Sequence, residues 1–196
     1  MLITFEGIDG SGKTTQAKLL YEYLKNKSID CCLSKEPYPF VNEIIQQFEI
    51  DKKTEFLLMM ASRAIHQQSI TNSLKTNKVV IIDRYIDSTY AYQHYGKHIS
   101  DKKIKYLEKF LFGDKLIIPN LTILLDIDPI IAKERLKKSG KELTKTDKES
   151  LPFFKRVRMG YLELAKLYNR YKTINVENKS IEDIQKEIVN IVEKSL

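Results

Sequence analysis

The sequence predicts an α/β fold, a parallel sheet carrying helices on both faces. Short β-branched or apolar runs alternate along the chain with longer stretches of helical periodicity. Parallel strands produce that alternation, because each needs a helical crossover to reach its neighbour. A glycine-rich turn over residues 7–14 lies directly between the first strand and the first helix. No internal repeat and no Pro/Gly/Ser-rich linker divides the 196 residues, so residues 1–196 are expected to form a single domain with its own core.

The first strand, "LITF" at residues 2–5, runs into "GIDGSGKT", which has the spacing G-x-x-x-x-G-K-T. Placed after a strand and before a helix, that spacing meets the conditions of a Walker A loop. Gly10 and Gly12 let the backbone curl so that its N–H groups face inward around a β-phosphate. The helix that follows, residues 15–26, adds the positive end of its dipole. Lys13 is expected to reach β and γ oxygens, and the Thr14 hydroxyl to ligate Mg²⁺. The loop therefore implies a bound nucleoside triphosphate, held by Gly7, Ile8, Asp9, Gly10, Ser11, Gly12, Lys13, Thr14 and Thr15.

Next comes the strand "CCL", residues 31–33, in which Cys31 and Cys32 should point to opposite faces. Two adjacent cysteines make neither a disulfide framework nor a metal set, which fits a reducing compartment. A helix over residues 53–75 carries "FLLMMASRAIH", where Phe56, Met59, Met60 and Arg63 share one face. An arginine ending an apolar stripe is usually a snorkelling side chain at the core boundary. The functional reading is a flat pocket for a base, with Arg63 at its carbonyl edge, and spacing does not choose between them. The buried strand "VVII", residues 79–82, ends in Asp83 at the carboxyl edge of the sheet, where it can order Mg²⁺ through water. Arg84 follows at once, and a planar cation beside the metal suggests a second bound anion, against the plainer reading of a surface ion pair. In "STYAYQHYG", Ser88, Thr89, Tyr92 and Gln93 suit a sugar and base, or form an amphipathic helix with a tyrosine stripe.

The remaining periodicity gives a helix over 101–112, a strand at 121–125, a helix over 129–138, a helix over 151–171, a strand "KTINV" at 172–176 and a helix over 181–194. Between the helices, residues 133–148 hold seven basic and three acidic side chains, so +4 of the net +7 is concentrated there. The overall balance of 33 Lys+Arg against 26 Asp+Glu calls for an anionic partner, and its local concentration argues against a nucleic-acid-binding surface. Met1 runs straight into an apolar strand, leaving no room for a signal peptide, and the apolar runs are too short to span a bilayer. A cytoplasmic protein with no membrane partner is expected. His66, His94 and His98 have no metal-ligand spacing.

Taken together, "FEGIDGSGKTT", "DRYIDSTYAYQ" and "FFKRVRMGYLELA", in this order over nearly the whole chain, resemble the thymidylate kinase family. The resemblance implies a three-layer P-loop kinase fold, with a five-stranded parallel sheet of order 2-3-1-4-5, and a homodimer. It implies transfer of phosphate from Mg-ATP to dTMP, giving dTDP. It further implies that Asp9 contacts the acceptor sugar or the metal and that Arg84 grips the acceptor phosphate. Glu36 and Pro37 would belong to the acceptor loop, Met59 would lie at the base, and Arg63 would read the thymine carbonyl with Thr89 and Gln93 nearby. Tyr92 would sit under the deoxyribose and exclude a 2′-hydroxyl.

Three departures from the family pattern stand out. Gly10 occupies a position that is arginine in one branch, so transition-state charge should be met from a lid at about residues 137–150. That lid offers Lys137, Lys138, Lys141 and Lys145, with Arg135 at its edge and Arg156 and Arg158 after it, although lysine lacks the bidentate fork of arginine. Met59 stands where phenylalanine usually stacks on thymine, leaving Phe40 or Phe56 as alternative rings. "KEPYPF" replaces R-E-P-G-G, putting Tyr38 and Pro39 where glycines are usual. A P-loop kinase for another nucleoside monophosphate or a deoxynucleoside is the nearest alternative, and a nucleic-acid-binding P-loop protein a remote one.

Overall fold

The strands β1 (Leu2–Glu6), β2 (Cys31–Lys35), β3 (Val79–Asp83), β4 (Leu121–Asp126) and β5 (Tyr171–Asn175) form one all-parallel sheet in the order β2-β3-β1-β4-β5. The computed structural model describes residues 1–140 and 142–196. β1 and β3 are buried along their whole length, as strands covered on both faces must be. Ile3, Phe5 and Ile81 face one core with Leu20 and Leu24 of α1 (Lys13–Asn26), while Leu2, Val80 and Ile82 face the other with Ile70 of α3 (Lys52–Thr76). Cys31 packs in the first core and Cys32 against the second, as the two-residue period of a strand requires.

Helix ends follow their sequence signals. Asp51 caps α3 through the N–H groups of Lys53 and Thr54, at 3.0 and 2.7 Å. Asp128, Ser150 and Ser180 do the same for α6 (Pro129–Lys138), α7 (Leu151–Leu167) and α8 (Ile181–Glu193). By contrast, α1 has Gly12 at φ 96° as its N-cap, with no side-chain cap.

Two elements differ from the periodicity. The helix expected over 151–171 stops at Leu167, because pairing of Tyr171 with Thr122 claims the following residues for β5. The second is α2 (Pro39–Gln47), a nine-residue helix not expected from the periodicity, which buries only Val41 and Ile45.

After β3 the chain forms a single turn, α4 (Ile86–Ser88), and continues as a π-helix over Thr89–Gly96 before α5 (Asp101–Phe112). A 2.9 Å bond from Lys97 N–H to the Tyr92 carbonyl shows the i→i+5 spacing. α7 crosses this stretch closely. A Cβ on Gly96 would lie 2.7 Å from the Phe153 ring, and one on Gly160 2.6 Å from Tyr95, so glycine is needed on both sides of the crossing. The crossing brings Tyr161 of α7 beside Tyr92, with ring centroids 6.2 Å apart.

Candidate active site

A cleft of about 600 Å³ opens at the carboxyl ends of β1, β2 and β3. Its floor is the loop between β1 and α1. Gly10, at φ 86°, lies so close to α6 that a Cβ there would approach the Ala132 carbonyl to 2.4 Å. The uncapped start of α1 leaves its first N–H groups without intrahelical partners, and the helix dipole adds to their attraction for an anion. Lys13 is buried and donates from Nζ to the Ile8 carbonyl at 2.9 Å. Burial, reinforced by the Arg84 charge, pushes its ammonium down to about 8, against the pull of Asp9, Asp83 and Glu6.

Beside it, the Thr14 hydroxyl donates to Oδ2 of Asp83 at 2.5 Å. The other carboxylate oxygen of Asp83, Oδ1, is buried without a hydrogen-bond partner. An orphaned carboxylate oxygen next to a threonine hydroxyl is a hard-oxygen donor set that suits Mg²⁺ or its waters.

Arg84 dominates the wall of the cleft facing Lys13. Its backbone sits at φ 69°, a left-handed conformation unusual for a non-glycine residue, held by a 3.0 Å bond from its N–H to the Phe5 carbonyl. Nη2 forms an ion pair with Asp9 and donates to the Tyr92 hydroxyl at 3.1 Å. The guanidinium lies 4.8 Å over the Tyr92 ring. The Tyr92 hydroxyl in turn donates to Asp9 Oδ2 at 2.9 Å. Burial alone would raise Asp9, but the Arg84 and Lys13 charges outweigh it and hold the carboxyl below its ordinary value. Burial, with Asp9 nearby, pushes the Tyr92 phenol well up, so it remains a donor.

Beneath Arg84, Ser88 joins Glu6 and Tyr161, two residues for which the sequence suggested no role. Glu6 is fully buried and accepts from Tyr85 N–H at 2.8 Å, from Ser88 Oγ at 2.6 Å and from the Tyr161 hydroxyl at 2.9 Å. Ser88 and Tyr161 each also accept from Arg84 Nη1 at 3.4 Å. Burial, with help from Asp87, raises Glu6 to about 7. Glu6 and Tyr161 both fall inside the quoted motifs, but no spacing rule links residues 155 positions apart.

Arg63 is buried, with every nitrogen engaged. Nε and Nη2 donate to Glu36 Oε2 at 3.0 and 2.9 Å, Nη2 also to the Tyr85 carbonyl at 3.0 Å, and Nη1 to Thr89 Oγ1 at 2.7 Å. The snorkelling reading of Arg63 is excluded, since its charge is internal. Glu36, Pro37, Met59, Arg63, Thr89, Tyr92 and Gln93 all line the cleft, as do Asp9, Lys13, Thr14, Asp83 and Arg84. Gln93 donates to Glu55 at 3.2 Å, and its Oε1 is buried without a partner. Phe56 is buried in a separate cluster, and neither it nor Phe40 lines the cleft.

The basic residues divide. Arg135 lines the cleft and donates to the Val176 carbonyl at 2.9 Å. Lys137 and Lys138 are exposed and do not line it, while Lys141 lies outside the described residues. Arg156 donates to the Gly96 carbonyl at 3.0 Å, and Arg158 makes a bidentate pair with Asp126 at 2.7 and 2.8 Å. Beyond α6, Thr144, Thr146 and Asp147 line the cleft on the side of α2. There Lys145 N–H donates to Gln46 Oε1 at 2.7 Å, and its Nζ to the Phe48 carbonyl at 2.8 Å.

Comparison with known proteins agrees with this geometry. The family model described as thymidylate kinase matches residues 5–188. A thymidylate kinase from Kosmotoga olearia is 40% identical over 197 residues, covering 96% of this chain and 93% of that protein. One from Onion yellows phytoplasma is 39% identical over 207 residues, covering 100% and 96%. The crystal structure of thymidylate kinase from Ehrlichia chaffeensis superposes with a TM-score of 0.77 at 32% identity, covering 98% of each chain.

Proposed function

The chain belongs to the thymidylate kinase family, and from that premise we propose that its cleft transfers the γ-phosphoryl group of ATP to dTMP, giving dTDP and ADP. The observation that carries the acceptor side is the Arg84–Asp9–Tyr92 cluster facing Lys13 across one cleft.

ATP binds with its β-phosphate in the loop 7–14, where the free N–H groups at the start of α1 and the Lys13 ammonium meet its charge. Thr14 and Asp83 would hold Mg²⁺, which neutralises charge on the bridging phosphates; the orphaned Oδ1 of Asp83 supports that role. Lys13 swings from the Ile8 carbonyl to the phosphates, exchanging a neutral acceptor for an anion. Arg84 offers its fork to the acceptor phosphate, while Asp9 and Tyr92 fix the plane of that fork. No covalent nucleophile is required, because the acceptor phosphate is already anionic. Positioning and charge neutralisation carry the rate.

The thymine base lies against Met59, with Arg63 and Gln93 at its polar edge. Residues 137–150 act as a lid on a single P-loop kinase domain, supported by the bridge from Lys145 to α2. Arg135 is the cation on that side best placed to meet the transferring charge, because it lines the cleft whereas Lys137 and Lys138 are exposed. A homodimer is supported by exposed Leu57 and Ile65, two turns apart on α3. No helix among the described residues is long and apolar enough to cross a membrane, and we place the enzyme in the cytoplasm with no nucleic-acid partner.

The test is ADP release with Mg-ATP against dTMP, dUMP, UMP, CMP, AMP and GMP. A strong preference for dTMP is expected. Activity only with another monophosphate would retain the kinase and overturn the acceptor assignment.

A further inference from the structure

The carboxylate of Glu36 is divided between two partners in an unusual way. Arg63 brings two nitrogens, Nε at 3.0 Å and Nη2 at 2.9 Å, to the same oxygen, Oε2. A planar guanidinium left to itself pairs its fork with both oxygens of a carboxylate. Here the second oxygen, Oε1, is taken by His66 Nδ1 at 2.9 Å. Both side chains come from one face of α3, three residues apart, and both are buried.

Glu36 Oε2 accepts both guanidinium N–H groups. His66 meets Glu36 Oε1 through Nδ1 and Ser34 Oγ through Nε2, the latter at 2.7 Å, so both ring nitrogens are engaged. Tyr38 covers the imidazole, its ring centroid 5.0 Å away, with its hydroxyl tied to Ser69 at 3.1 Å. Tyr38 is one of the departures in "KEPYPF". It thus shields the histidine from water.

Arg63 has five N–H donors. Nε uses one on Glu36, Nη2 uses two on Glu36 and Tyr85, and Nη1 uses one on Thr89. The fifth, on Nη1, faces only the Met60 sulfur at 3.9 Å, a weak acceptor. It is the one Arg63 donor without a strong partner.

We propose that His66 is a positioning residue for base recognition, holding Oε1 of Glu36 so that Arg63 grips only Oε2 and keeps its guanidinium fixed in the wall of the cleft, where the acceptor base is read. The inference rests on the acceptor assignment above. Without His66, the guanidinium rotates onto both oxygens of Glu36 and leaves that position. A base with a carbonyl at the 4-position then loses a donor, and a base with an amino group there loses a clash.

The experiment is steady-state kinetics of His66→Leu and His66→Asn with dTMP and dCMP, alongside melting temperatures. The asparagine amide nitrogen stands where Nδ1 does and can still donate to Glu36. For His66→Leu, KM for dTMP should rise about tenfold, the scale of one hydrogen bond to a charged group, with kcat and KM for ATP within about twofold. The preference for dTMP over dCMP should narrow by a similar factor, and His66→Asn should restore most of both. If His66→Leu does not fold, His66→Gln replaces it with the same expectation, because its amide reaches the Ser34 side and leaves Oε1 unpaired. Unchanged KM and preference in the folded variant would overturn the proposal, as would an asparagine variant as impaired as leucine. Wild-type protein inactive on dTMP would instead overturn the acceptor assignment itself.

Discussion

Replacing Lys13 by methionine should stabilise the ligand-free protein while abolishing phosphoryl transfer. Burial, with Arg84 close by, brings the ammonium from 10.5 to about 8 in the folded chain. In the unfolded chain the ordinary value applies. Below pH 8 both states hold the proton, and the folded state bears the full cost of a buried charge. Between pH 8 and 10.5 the unfolded chain still binds a proton that the folded chain has released, so wild-type stability rises with pH. That fall from 10.5 to about 8 corresponds to about 3 kcal/mol. Methionine avoids that cost but gives up the bond to the Ile8 carbonyl, worth about 1 kcal/mol. The net gain at pH 7 is therefore about 2 kcal/mol. Urea unfolding of both proteins without nucleotide, at pH 7 and pH 10, measures it. The gap should be largest at pH 7 and nearly closed at pH 10. A methionine variant less stable than wild type at pH 7, or a gap independent of pH, would refute the reasoning that the loop stores an uncompensated charge for its ligand.

Glu6→Gln tests the opposite sign. Burial and Asp87 raise Glu6 from 4.5 to about 7, so its contribution to stability is full below pH 4.5 and lost as pH rises through about 7. The wild-type minus variant difference should fall by up to about 3 kcal/mol from pH 4 to pH 8, and a flat difference in urea titrations would rule this out. Tyr92→Ala removes the ring beneath Arg84 and should improve kcat/KM for UMP relative to dUMP; an unchanged ratio would remove Tyr92 as the sugar gate. Met59→Phe places a flat ring at the cleft wall and should tighten dTMP binding in calorimetry. No change there would put the base elsewhere.

By itself the sequence determined the elements whose signals are local. The strands of the sheet, the loop at residues 7–14 and the bounds of α5 and α6 follow from periodicity, glycine placement and caps within a few residues. The end of α7 did not, because pairing with β4 decides where β5 begins. Side-chain roles divide along the same line. The loop around Lys13 was legible because it is local, its ammonium bonding the Ile8 carbonyl five residues back, whereas the meeting of Thr14 with Asp83, 69 residues on, needed the parallel pairing of β1 and β3. Arg63 was not legible, since its partners Glu36 and Thr89 lie 27 and 26 residues away and only packing of α3 against the sheet brings them together. Nor could the run "RLKK" say which cation faces the cleft. Each residue turns a helix by about 100°, and only the packed phase of α6 turns Arg135 inward and leaves Lys137 and Lys138 exposed. Glu6, Ser88 and Tyr161 meet under Arg84 because glycines at 96 and 160 let α7 approach the π-helix. Local chemistry can be read along a chain, whereas the choice of partner is a property of distances that exist only once the chain is folded.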